Sequence, residues 1–282
     1  MKPNQGLPIG PDYNLDPDAL NGLEANLVDV VRRRTGIEGI TAVWLGPEHQ
    51  FANIIRTHEA RLFPEVYDSS SADEKKTLFL ALVDTRAGSS GVVHGTTVCG
   101  GGALNESSAA GAGGNTGFIT IDSLIDFGNF SADEFERYYA ADNVDLAHCL
   151  SVETNFRIGK RVPNAWGLST STIAYLMVFR FLVHCGARRN QAVVFADVNR
   201  ASRISLQRNG IRYAPLMGRT DLLTPEAALG RSSLPVSFPV DDALHDLFLK
   251  MRADVPEVFL GVGDNLAAAA GKSLLGSADV RS

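Results

Sequence analysis

The stretch that most restricts the fold is STSTIAYLMVFRFLVHC, residues 169–185, apolar on most sides of a helix and followed at once by Gly186. A helix lacking a polar face has to be buried against a sheet, and a glycine just past the last turn ends helices through a left-handed cap. Residues 191–198, QAVVFADV, then read as a strand with the near-continuous apolar run of a sheet centre. A strand at 146–156 precedes the helix, a second helix runs from Asn199 to Asn209 and Gly210, and 211–216 returns as a strand. The order is βαβαβ. It predicts 146–156 and 191–198 as adjacent parallel strands of one sheet.

Upstream, residues 18–34 carry Leu20, Leu23, Leu27, Val28 and Val31 at helical spacing, with Gly36 as the stop. Residues 40–45 read as a strand, 47–62 as a helix, and Phe63-Pro64-Glu65 as a turn. Two β-rich runs, 77–84 and 91–99, are joined by TRAGSS as a hairpin. Residues 100–117, GGGALNESSAAGAGGNTG, are so glycine-rich that they are expected to form a flexible surface loop, and no Gly-Lys-Ser/Thr follows to make a P-loop. Residues 118–124 are expected as a strand, and 131–139 as a helix opened by a Ser131/Glu134 capping box. The remainder offers one β-like segment, 234–240, a helix over 241–251, and an Ala/Gly tail. The expected fold class is α/β (α+β), a mixed sheet flanked by helices. The expected layout is an N-terminal tail and helix (1–38), one main domain (39–240) and a C-terminal helix and tail (241–282).

Composition narrows the function. A formal charge of −6 provides no domain-wide basic field, so nucleic acid is not an expected partner. Three cysteines without CxxC spacing, and histidines without HxxxH or HExxH, argue against a disulfide framework and against a metal site. No apolar stretch is long enough to span a bilayer, and the expected setting is cytoplasmic.

The segment from Asn199 to Gly210, eleven residues apart with Ile211 next, resembles the GCN5-related N-acyltransferase family, as does HEARLFPE (58–65). The resemblance covers about two thirds of the chain, 39–216. It implies a sheet splayed between its fourth and fifth strands, with the long helix presenting its N-terminus to the donor thioester's pyrophosphate. Ser169 and Ser171 stand where the ordinary acetyl-CoA branch has glycines, and Leu206 where many members have a tyrosine acid. A Ser-rich helix start after Glu153-Thr154-Asn155-Phe156-Arg157 is nearer the acyl-homoserine-lactone synthases and long-chain N-acyl amino acid synthases. The arginine follows the phenylalanine here instead of preceding it.

Each candidate residue has a chemical and a structural reading. The first-turn amides of the long helix, with the hydroxyls of Ser169, Thr170 and Ser171, form an anion site next to Gly167, or Ser169 simply caps the helix. Glu153 is the candidate general base, or the partner of Arg157 in a surface ion pair. Asn199 bonds the pantetheine chain, or is an N-cap. Arg157, Lys160 and Arg161 hold the 3′-phosphate of CoA or steer an acidic carrier protein, or are a solvated loop. Glu59, Phe63 and Glu65 form the acceptor side, or the glutamates are ordinary helix-face charges. The resemblance implies an N-acyltransferase that moves an acyl group from an acyl-CoA or acyl-carrier-protein thioester to the amine of a small molecule or amino acid. The alternatives are an ordinary acetyl-CoA-dependent N-acetyltransferase and a non-catalytic acyl-thioester-binding regulatory module.

Overall fold

The computed structural model describes residues 15–62, 78–86, 98–106, 115–158, 168–184, 191–224, 232–240 and 255–262. Helix α1 (Pro17–Thr35) starts at Asp16, whose carboxylate accepts from the Ala19 amide, and ends at Gly36 with φ of 64°. Strand β1 (Ile40–Leu45) is wholly buried. Helix α2 (Ala52–Leu62) follows, then β2 (Leu78–Asp84) and β3 (Val98–Glu106). Helices α3 (Ile119–Asp126) and α4 (Ala132–Ala141) precede β4 (Leu150–Val152) and β5 (Phe156–Arg157). The long helix is α5 (Thr170–His184), followed by β6 (Val193–Asn199) and α6 (Arg200–Arg208). Short β7 (Ala214–Pro215), β8 (Ser233–Pro239) and β9 (Glu257–Leu260) complete the described elements.

The strands form one mixed sheet in the order β7-β8-β6-β4-β3-β2-β1-β9, with β5 also paired to β3. Neighbours are antiparallel except β4 with β6 and β1 with β9. One face is covered by α5 and by Leu206 and Ile211 at the end of α6. On the other face α1 and α2 pack over β1, β2 and β3, while α3 and α4 pack an aromatic cluster against Cys149 and Phe195. Both faces of the sheet are thus buried, which is why its central strands read as continuous apolar runs.

Four expectations change. Gly100, Gly101 and Gly102 belong to β3 in the middle of the sheet, not to a surface loop. A Cβ on Gly100 would fall 2.6 Å from the Phe156 carbonyl and from the Thr170 methyl, and one on Gly101 would fall 2.4 Å from the Leu80 carbonyl. Close approach from both sides, rather than freedom, is what demands glycine there. Residues 118–124 are helical: Ile121, Asp122 and Leu124 are buried on one face of α3, and Asp122 Oδ1 accepts from the Thr116 amide at 2.7 Å. The expected strand at 146–156 is a 3₁₀ turn, β4, a break at 153–155, and β5. Strand β9 lies in the segment expected to hold only a helix and a tail, and it pairs in parallel with β1 from Ala42–Glu257 to Leu45–Leu260. The expected helix over 241–251 lies outside the described residues.

Candidate acyl-transfer site

The parallel ladder of β4 and β6 consists of Leu150–Val194, Ser151–Phe195 and Val152–Ala196. Beyond it β6 stays with β8 as far as Asn199–Ser233, while the chain after β4 stays with β3 through Gly101–Phe156 and Gly100–Arg157. The two strands therefore part after Val152, as the resemblance carried by the Asn199–Gly210 spacing implies.

The first turn of α5 sits at this fork. Asn155 Nδ2 donates to the Ser171 carbonyl at 3.2 Å, and Thr170 packs onto Gly100. From the β6 side, Ser205 Oγ lies 3.2 Å from Ser169 Oγ, and Asn209 Nδ2 donates to Thr172 Oγ1 at 3.3 Å. Ser169 is the cap: its Oγ accepts from the Thr172 amide at 3.1 Å and lies 2.8 Å from Thr172 Oγ1. The hydroxyls of Ser169 and Thr172 thus clamp α5 to α6, while the amides of Thr170 and Ser171, in the first turn, have no acceptor within the helix. Ser171 is half-buried and Thr170 buried. The separation of Asn199 and Gly210 is one helix long: Asn199 Oδ1 caps α6 by accepting from the Ser202 amide at 2.9 Å, and Gly210 ends it with φ of 76°. Leu206 is buried in the core.

Residues 153 and 154 form a bulge, both amides donating to the Ala103 carbonyl, at 2.9 and 3.3 Å. Two residues opposite one put neighbouring side chains on the same face. Glu153 reaches α3, where its Oε2 accepts from Thr120 Oγ1 at 3.1 Å and its Oε1 from the Thr120 amide at 3.4 Å. Thr154 Oγ1 accepts from the Ala103 amide at 3.0 Å and donates to Glu59 on α2. Glu59 is fully buried, so it is not a solvated helix-face charge. Next to it on α2, His58 Nε2 lies 2.8 Å from Glu24 Oε1 of α1, both buried.

Arg157 is exposed on β5, while Lys160, Arg161, Gly167, Phe63 and Glu65 lie outside the described residues. Thr120, Thr154 and Asn155 are the additions. Thr120 was hidden because 118–124 reads as a strand, and the other two because a bulge leaves no mark in apolar alternation. Cys149 belongs to the core: burial pushes its thiol up to about 12, and His148 beside it bonds Asp145 instead, at 2.8 Å. Phe118 and Phe130 share one apolar cluster, Phe156 belongs to another, and Phe127 is exposed.

No protein-family model matches the chain, and no curated protein matches it. Among solved structures it is similar to a CoA-dependent acyl-homoserine lactone synthase, BjaI, with SAM and isopentyl-CoA. That comparison has 15% identity and a TM-score of 0.49, covering 82% of this chain and 99% of that one. BjaI with MTA gives 15% identity and 0.47 over the same shares. A second CoA-dependent acyl-homoserine lactone synthase, MesI, gives 11% identity and 0.38, covering 79% of this chain and 100% of that one.

Proposed function

We propose that the chain is an N-acyltransferase that takes an acyl group from an acyl-CoA or acyl-carrier-protein thioester and passes it to the amine of a small molecule or amino acid. The observation that supports this best is the fork between β4 and β6, with the first turn of α5 lodged in it. Parted strands leave main-chain groups to which an extended pantetheine arm can add as a strand would. The amides of Thr170 and Ser171, aligned with the helix axis, favour a phosphate group without any cationic side chain. Arg157, exposed on β5, adds attraction for the 3′-phosphate of CoA or for an acidic carrier protein.

In this reading Glu153 takes the proton from the acceptor ammonium. The free amine then attacks the thioester carbonyl, the C–S bond breaks as the C–N bond forms, and the second N–H proton goes to the departing sulfur, which leaves as the thiol. Glu59 holds the bulge through Thr154. A panel of acetyl, octanoyl and longer acyl thioesters, on CoA and on carrier protein, tests the proposal against a set of amines and amino acids. Amine-dependent release of free thiol is expected. Donor binding without release would instead make the chain a thioester-binding module.

A further inference from the structure

Helix α3 begins without a side-chain cap of its own, because the residue at its N-cap is Phe118. Two side chains from the sheet take that role: Asn105 Oδ1 accepts from the Ile119 amide at 3.0 Å, and Glu153 Oε1 from the Thr120 amide. Asn105 is itself fixed by donating to the Gly117 carbonyl at 2.6 Å, and Asp122 ties down the preceding loop by accepting from the hydroxyl of Thr116 at 2.8 Å. The start of α3 is thus a rigid platform, and both oxygens of Glu153 rest on one residue of it. We propose that Thr120 is a positioning residue for Glu153, its hydroxyl holding the carboxylate in the direction from which it takes the acceptor's proton. This rests on the acyl-transfer reading of the fork.

Donors to a carboxylate favour its charged form, and a helix N-terminus does the same. The neighbouring elements carry the ionisable residues Arg56, His58, Glu59 and Arg61 on α2, Cys99 and Glu106 on β3, Asp122 and Asp126 on α3, Arg157 on β5 and Asp197 on β6. Glu59 and Asp122 are bonded to Thr154 and Thr116. Losing the hydroxyl of Thr120 removes a charge-assisted bond, which corresponds to about one pH unit in the ionisation of Glu153.

The test combines two readouts on Thr120→Val, Thr120→Ala and Thr120→Ser. The first is the carboxyl titration of Glu153 by NMR with ¹³C-labelled glutamate, assigned with Glu153→Gln. The second is the acidic limb of thiol release. Both are expected to move up by about one pH unit in Thr120→Val or Thr120→Ala, and to stay in place in Thr120→Ser. A carboxyl titration unmoved in a folded Thr120→Val or Thr120→Ala overturns the proposal, and so does an acidic limb that fails to follow it. If the wild type releases no thiol with any donor, the acyl-transfer reading falls instead, and the titration still decides whether Thr120 controls Glu153.

Discussion

Thr154 shows how one side chain can replace a stretch of ladder. Its hydroxyl accepts from the Ala103 amide that regular pairing would have bonded to a carbonyl, and donates to buried Glu59. Thr154→Val keeps the shape and removes both bonds, leaving the buried Ala103 N–H without this acceptor and the Glu59 carboxylate with one donor fewer. An unsatisfied buried group costs about 1–3 kcal/mol, so the variant is expected to unfold at lower denaturant by that margin, while Thr154→Ser stays near wild type. Equal stability of the valine and serine variants would show that the bulge does not depend on this hydroxyl.

At the scale of elements, legibility follows how local the determinants are. Helix α1 carries its own stops, Asp16 and Gly36, and α4 its capping box, in which the Ser131 amide donates to Glu134 Oε2 at 2.7 Å. Their extents could be read directly, and so could β1 and β6, which are buried on both faces. The fork was legible through the family resemblance carried by the Asn199–Gly210 spacing, since strand and helix order gives adjacent parallel strands but not their parting. Strand β3 was not, because its glycines answer to Phe156, Thr170 and Leu80, residues remote in sequence. Helix α3 was missed because Phe118-Ile119-Thr120-Ile121 has strand propensity, and the groups that turn it into a helix, Asn105 and Glu153, come from the sheet. Gly101→Ala tests the close-packing reading of β3. Overfilling a packed site costs about 1–3 kcal/mol, and chemical denaturation should register that loss, whereas a glycine chosen for flexibility would be stabilised by alanine.

Across the whole molecule, β9 ties a late segment to the first strand and to the long helix. Glu257 accepts from Trp44 Nε1 at 3.2 Å and pairs with Arg180 Nε at 3.3 Å, and Arg180 also donates to the Val255 carbonyl. Burial pushes the Glu257 carboxyl above its ordinary 4.5, an effect that Arg180 and then Trp44 partly offset. A carboxyl raised on folding stabilises the fold when protonated. That contribution is complete below 4.5 and is lost as pH rises through the folded value. Removing the partner of a buried charge costs about 3–5 kcal/mol. Arg180→Met is therefore expected to lose that much at neutral pH and to recover part of it as the pH is lowered and the carboxyl takes up its proton. A deficit independent of pH would assign the loss to packing. The measurement closest to the central claim is the rate of amine-dependent thiol release by Glu153→Gln, whose amide can still bond Thr120 and so keep the start of α3 in place. Loss of a positioned base costs about 10²–10⁴ in rate, and that fall is expected with stability and donor binding unchanged. A folded variant that keeps more than about a tenth of the wild-type rate would contradict the account.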